Sequence, residues 1–179
     1  MGTVPSFRTW VAGEIVTAAE MNANIRDAGN FMIGQPFAYI WQSVAQSLAN
    51  STYAALTFDS TVVDSDGGHS NVTNNSRYTA KTPGWFQFTG GASFAVNATG
   101  SRGTQWSKTG VLTGLGAQAL SFSGTAAVTT SVPAKMIFLP MNGTTDYVEL
   151  LAFQSSGGAL NTSVAAPDGG NMLVRWIHS

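Results

Sequence analysis

The chain of 179 residues contains no cysteine, so it has no disulfide, no thiolate nucleophile and no thiolate metal ligand. Charge is nearly as scarce. Eight Lys and Arg stand against nine Asp and Glu, 9% of the chain with a net charge of −1, where about 25% charged residues is usual. Cations this few and this scattered cannot build the basic patch that nucleic acid requires, so no nucleic-acid partner is expected. No apolar run of about eighteen residues occurs, so no membrane-spanning helix is expected. The opening "MGTVPSFRTW" lacks the apolar core of a secretory signal. It fits a myristoylation pattern through Gly2 and Ser6, but no second anchoring signal stands beside it, and no membrane partner is expected. Six N-x-Ser/Thr sequons then read as turn chemistry rather than as glycan sites.

Low charge here is not disorder. Val, Leu, Ile and ten Phe are spread in short runs, which disordered chains lack. The length suits one domain, or one domain with an appendage, and its core needs no covalent staple. A surface so weakly charged is poorly protected against association. The expectation is a protein that sits against copies of itself or against other subunits.

Residues 13–36, "GEIVTAAEMNANIRDAGNFMIGQP", predict one short amphipathic helix. Thr17 and Glu20 have the spacing of a capping box, and Gly34 and Pro36 supply the stop. Ala18, Met21, Ile25, Ala28 and Met32 recur at three- and four-residue steps, an a/d seam over two heptads. So short a helix is marginal alone and needs a surface to cover its stripe. Either it packs back on its own domain, or it meets sister helices or a neighbouring protein. The arm before it favours the second reading, because Phe7, Trp10, Val11 and Ile15 are too apolar for a solvated tail. Phe7, Trp10, Ile15, Met21, Ile25 and Met32 are therefore the candidate anchor and assembly residues. Residues 1–36 are expected to form an anchor arm and helix, and 37–179 a second unit.

After Pro36 the pattern changes to short strands divided by Gly and Asn turns. Strands are expected within 37–48, 52–58, 84–96, 101–110, 135–156 (broken at Asn142-Gly143) and 171–179. In "GWFQFTGGASFAV", Phe86 and Phe88 share one face, while Gly90-Gly91 suggests a bulge or a close backbone approach. "DSDGGHSNVTNNS" (64–76) is a long polar turn, and 111–127 carries too many glycines to place. Some eight short strands with such turns indicate a mainly β sandwich or jelly roll.

Two resemblances follow from these residues. "GWFQFTGGASFAVNATGSRGTQWSKTG" and "NGTTDYVELLAFQSS" resemble the C1q/TNF-like jelly roll, through Gly84, Trp85, Phe86, Phe88, Gly143, Asp146, Val148 and Leu150. Two threonines separate Gly143 from Asp146, a departure from that pattern. The resemblance covers about residues 38–179 and implies a jelly-roll β-sandwich, here with an extended N-terminal arm and one short α-helix. It further implies a homotrimer with aromatic residues around the three-fold axis. Trp85, Phe86, Phe88, Phe94, Tyr147 and Phe153 are the candidates for core or axis.

The second resemblance is denser. "TWVAGEIVTAAEMNANIRD" is similar to the opening of structural proteins of bacteriophages and prophages of actinobacteria, T-W-x-x-G-E-x-V-T-A-A-x-x-N-x-x-I-R-D. Thr9, Trp10, Gly13, Glu14, Val16, Thr17, Ala18, Ala19, Asn22, Ile25, Arg26 and Asp27 carry it. It implies a non-enzymatic protein on the virion surface, with phage capsid or tail subunits as partners: a capsid decoration protein, a head fibre or a minor tail protein. The alternative is an adhesin at the tail tip that binds host-surface glycan, for which Trp41, Trp85, Trp106 or Trp176 would be stacking platforms.

Catalytic chemistry finds little support. The two histidines are His69 and His178. Asp64, Ser65 and His69 could form a hydrolytic set only inside one Gly-rich turn, and no G-x-S-x-G elbow is present. Asp59, Asp64 and Asp66 are partly Ca²⁺-like but lack the downstream Glu and the loop spacing, so turn chemistry is the expected reading. "TGLGAQAL" lacks the Lys or acid of a nucleotide loop and is expected to be an inter-strand connection. No enzyme activity, metal or cofactor is expected.

Overall fold

The computed structural model describes residues 4, 5, 7–112, 128–164 and 169–179, together with the backbone of 119–122. Gly2, Ser6 and most of the glycine-rich stretch 113–127, with its expected inter-strand connection, lie outside the described residues.

The helical segment begins where the capping box puts it. Glu20 N donates to Thr17 Oγ1 at 3.2 Å, and Thr17 N donates to Glu20 Oε2 at 2.9 Å. Each bond satisfies an amide that the first turn leaves without a partner. The segment runs as α1 (Ala18–Met21), a π turn (Asn22–Arg26) and α2 (Asp27–Ile33), and Gly34 N closes it on Asn30 O at 2.8 Å. The π turn is a departure from the regular seam expected from spacing. Its wider turn delays the rotation by about one residue, and the apolar stripe divides. Ala28 is buried and Phe31 packs on the core, whereas Met21, Ile25, Met32 and Ile33 stay exposed.

Among the described residues the strands are β1 (Phe37–Trp41), β2 (Ser47–Leu48), β3 (Ala54–Ala55), β4 (Ser60–Asp64), β5 (Arg77–Thr79), β6 (Pro83–Phe94), β7 (Ser101–Lys108), β8 (Val111–Leu112), β9 (Ala119–Phe122), β10 (Thr130–Asn142), β11 (Tyr147–Gln154), β12 (Leu160–Asn161) and β13 (Asn171–His178). They form a two-sheet sandwich in which every pairing is antiparallel. One sheet has the order β10-β6-β13-β1-β4. The other is built on β3-β11-β7-β8, with β5 also on β11 and β9 also on β7. β12 and β2 make a small separate pair.

Alternation explains which side chains meet between the sheets. β6 turns Phe86, Phe88, Ala92 and Phe94 inward, β13 turns Met172, Val174 and Trp176 inward, and β11 answers with Val148, Leu150 and Ala152. Trp106 on β7 fills the middle, its indole donating to Lys135 O at 2.6 Å. The expected strand 37–48 divides into β1 and the short β2, which pairs with β12, and 52–58 keeps only Ala54–Ala55 in register. Leu56 and Phe58 are nonetheless fully buried, so their apolar character served the core rather than a ladder.

The Gly90-Gly91 pair marks a close approach. A Cβ on Gly90 would lie 2.2 Å from Asn171 O, inside the neighbouring strand. The irregularity falls on the strand opposite: β10 shifts register between Ala134 and Ile137 against β6. Arg102 is a second feature that patterning left open. It is fully buried, and its guanidinium donates to Asn97 O (3.1 Å), Thr99 O (3.0 Å) and Ser101 O (2.9 Å). Carbonyl dipoles, not a carboxylate, receive the charge, and desolvation lowers its pKa.

Candidate assembly surfaces

The segment before the helix is tied to it by one side chain. Arg8 pairs with Glu14 and with Glu20, and its guanidinium lies 4.9 Å from the Trp10 ring centroid. Gly13 takes φ +84°, a value that suits glycine. The resulting turn lets Glu14 N donate to Val11 O at 3.1 Å and Val11 N donate to Glu14 Oε2 at 3.2 Å. Hydrogen bonds from the Thr17 backbone and hydroxyl, with Arg8 beside them, hold the Glu20 carboxyl down at about 2. Arg8, Trp10, Glu14, Thr17 and Glu20 thus make a small folded unit with the helix. Its charges are spent internally, and it presents apolar groups outward. Ile15 is 90% exposed, Phe7 75% and Met32 65%, with Met21, Ile25 and Trp10 also exposed. Among the described residues its inward contacts are few: Val4 and Phe31 pack on the body, and Ala28 is buried.

The outward side of the five-stranded sheet is the second surface. Register aligns Phe138, Gln87, Arg175 and Phe37 in one row across β10, β6, β13 and β1. The next row holds Thr89, Leu173, Tyr39 and Val63. Met136, Phe138, Trp85, Val63 and Ile177 are exposed, while Phe37, Tyr39, Trp41 and Leu173 are half-buried. An apolar face of this extent is unusual for a surface left to water.

The six core or axis candidates separate in space. Phe86, Phe88 and Phe94 are fully buried between the sheets. Trp85 faces outward and stacks on His178, with ring centroids 6.0 Å apart. Tyr147 and Phe153 lie on the outward side of the other sheet, Tyr147 under the Arg77 guanidinium and Phe153 against Tyr53 at 4.9 Å. Of the remaining tryptophans, Trp106 and Trp176 are core and Trp41 lies on the outward sheet face. Sequence reasoning passed over Arg8 and Phe138. The signal for Arg8 was present as a lone cation followed by acids at 14 and 20.

The candidate hydrolytic set does not assemble. His69 Nδ1 faces Arg77 O and His69 Nε2 faces Phe58 O, each at 3.0 Å, so neither nitrogen is turned to Ser65. The Ser65 hydroxyl serves the backbone of Gln35 and Phe37 instead. Asp64 accepts from the Gly68 and His69 amides. Asp66 accepts from Tyr78 Oη, the Lys81 and Thr82 amides and Thr82 Oγ1. The carboxylates therefore organise the 65–82 loop. Burial, and then the charges of Asp66 and Asp64, push the Tyr78 phenol far up. Among the described residues no group of three or more His, Asp and Glu is placed to hold a metal ion, and no helix is long and apolar enough to cross a membrane.

No protein-family model matches the chain, and no curated protein matches it in sequence. Solved structures do match its fold. Murine APRIL at pH 8.5 superposes with a TM-score of 0.56 at 10% identity, over 78% of this chain and 98% of that one. The Eiger TNF of S. frugiperda gives a TM-score of 0.55 at 12% identity, over 81% and 96% respectively. The body is a TNF-like jelly roll, as the strand and turn residues of 84–156 implied.

Proposed function

We propose that this chain is a non-enzymatic structural protein of a bacteriophage particle. In this reading it is a trimeric surface module whose body, residues 37–179, is seated by residues 1–36. The observation that carries the reading is the folded N-terminal unit. Trp10, Gly13, Glu14 and Thr17, four residues of the phage-like opening, build the turn and cap that hold Phe7, Ile15, Met21 and Ile25 out of the body. A spacer would need no such scaffold. A seat in another protein explains both the scaffold and the exposed apolar groups.

Trimerisation is supported by the outward face of the five-stranded sheet, since closing three such faces together covers Trp85, Phe138, Tyr39 and Leu173. It also multiplies the anchor, because three linked units bind far more tightly than one. The site is the virion surface, as capsid decoration, head fibre or minor tail protein. The rival reading, a tail-tip adhesin for host glycan, draws on Trp41 and Trp85, but these two lie on the face the trimer would cover.

The experiment uses purified particles that lack the protein. The full chain should co-sediment with them at saturating, countable copies. A truncation lacking residues 1–26, which keeps Ala28 and Phe31 on the body, should stay in the supernatant while remaining folded. Equal binding by the truncation would overturn the anchor.

A further inference from the structure

One charged side chain interrupts the outward sheet face. Arg175 is exposed in the middle of β13, between Gln87 of β6 and Phe37 of β1 in register. Among the described residues it makes no ion pair and stacks on no ring. Covering a guanidinium without a partner is costly. Carboxylates are poor candidates for that partner. Among the described residues, Glu14 and Glu20 are spent on Arg8, Asp27 on Arg26, Asp59 on Ser43, Asp146 on Lys108, Glu149 on Arg77 and Ser76, and Asp64 and Asp66 on loop amides.

The same row ends in an aromatic ring. Phe138 lies on the edge strand β10, 47% exposed, in register with Gln87. The lateral edges of the sheet are apolar, with Phe138 and Met136 on β10 and Val62 and Val63 on β4. The strand ends instead carry polar turns such as 142–146 and 65–76. Faces that close edge to face, with the polar turns left in water, have their three-fold axis running along the strands. Rotation about such an axis leaves each residue at its own height. An edge residue of one copy then meets the neighbour's residues of the same row.

We infer that Arg175 of each copy lies against the Phe138 ring of the next, a cation–π contact that sets the register of the trimer. This rests on the trimeric reading above. It assigns the lone cation a partner that needs no acid, and it uses the one exposed ring of that row on the sheet edge.

The absence of cysteine makes the test clean. Phe138 and Arg175 of one copy are separated by β6, two strand spacings or roughly 9–10 Å, too far for an internal disulfide. The full chain carrying Phe138→Cys and Arg175→Cys together is oxidised with diamide. The expected product is a covalent trimer, with no such product from Arg175→Cys alone or from Phe138→Cys combined with Trp41→Cys, which lies in a different row. Independently, Phe138→Ala and Arg175→Met are combined in a double-mutant cycle on trimer dissociation. The two effects should fall short of additivity by about fivefold. A chain that is monomeric before any substitution overturns the trimeric reading itself. A trimer that neither cross-links at 138–175 nor shows coupling overturns this contact alone.

Discussion

Phe31 meets the indole of Trp176 edge to face, with ring centroids 5.0 Å apart and planes at 90°. This contact joins the helix to the sandwich. Trp176 is in turn fixed from two sides, its indole donating to Pro83 O at 3.1 Å and its amide to Pro36 O at 2.9 Å. The chain therefore enters β1 at a set angle, and the N-terminal unit is held against the body at its α2 end.

Phe31→Ala should release the helix without unfolding the body. The cost is about 1–2 kcal/mol from lost apolar burial and ring contact. Hydrogen exchange should accelerate over residues 18–33, while β6 and β13 amides stay protected.

The cap should be acid-sensitive in a definite window. Glu20 is held at about 2, below the ordinary 4.5. Its contribution is complete above 4.5, where the carboxylate is charged in the folded and the unfolded chain alike. It is lost as pH falls towards about 2. Amide protection at Thr17 and Glu20, taken relative to the intrinsic exchange rate and followed from pH 6 to pH 2, should fall only in that window. Glu20→Gln should abolish the dependence.

Gly90→Ala and Gly91→Ala should separate sharply. A Cβ at 90 meets Asn171 O at 2.2 Å, whereas one at 91 finds Val132 O at 3.2 Å. The first should lower stability by about 3 kcal/mol and the second by about 1 kcal/mol or less. Urea midpoints of the two variants check this.

Arg102→Met keeps the buried stem but leaves the carbonyls of Asn97, Thr99 and Ser101 without their donor. The expected loss is about 2–4 kcal/mol in a denaturant titration. Arg102→Lys should recover only part of it, because one ammonium cannot reproduce the three-way fork.

The legible parts of the molecule were those set by local chemistry. Thr17 and Glu20 define a cap, Asn142-Gly143 a turn, and Phe86 and Phe88 an inward face, each within a few residues. Regions fixed by distant partners were not legible. The π turn at Asn22–Arg26 has no spacing signal, and it decides that Ala28 and Phe31 face the body while Met21 and Ile25 do not. β4 and β5 fell outside the expected strands because each is short and its partner strand, β1 for β4 and β11 for β5, lies elsewhere in the chain. The assembly face was half visible: Trp85 stood out as an aromatic. Phe138 and Arg175 gained meaning only when register put them in one row.

Native mass spectrometry of the full chain at about 10 µM tests the central claim most directly. The account predicts a trimer of about 56 kDa, three copies of 18.7 kDa, and its conversion to monomer by Phe138→Lys, which sets a second cation against Arg175 on the outward sheet face. A species of 18.7 kDa for the unsubstituted chain at that concentration would contradict it.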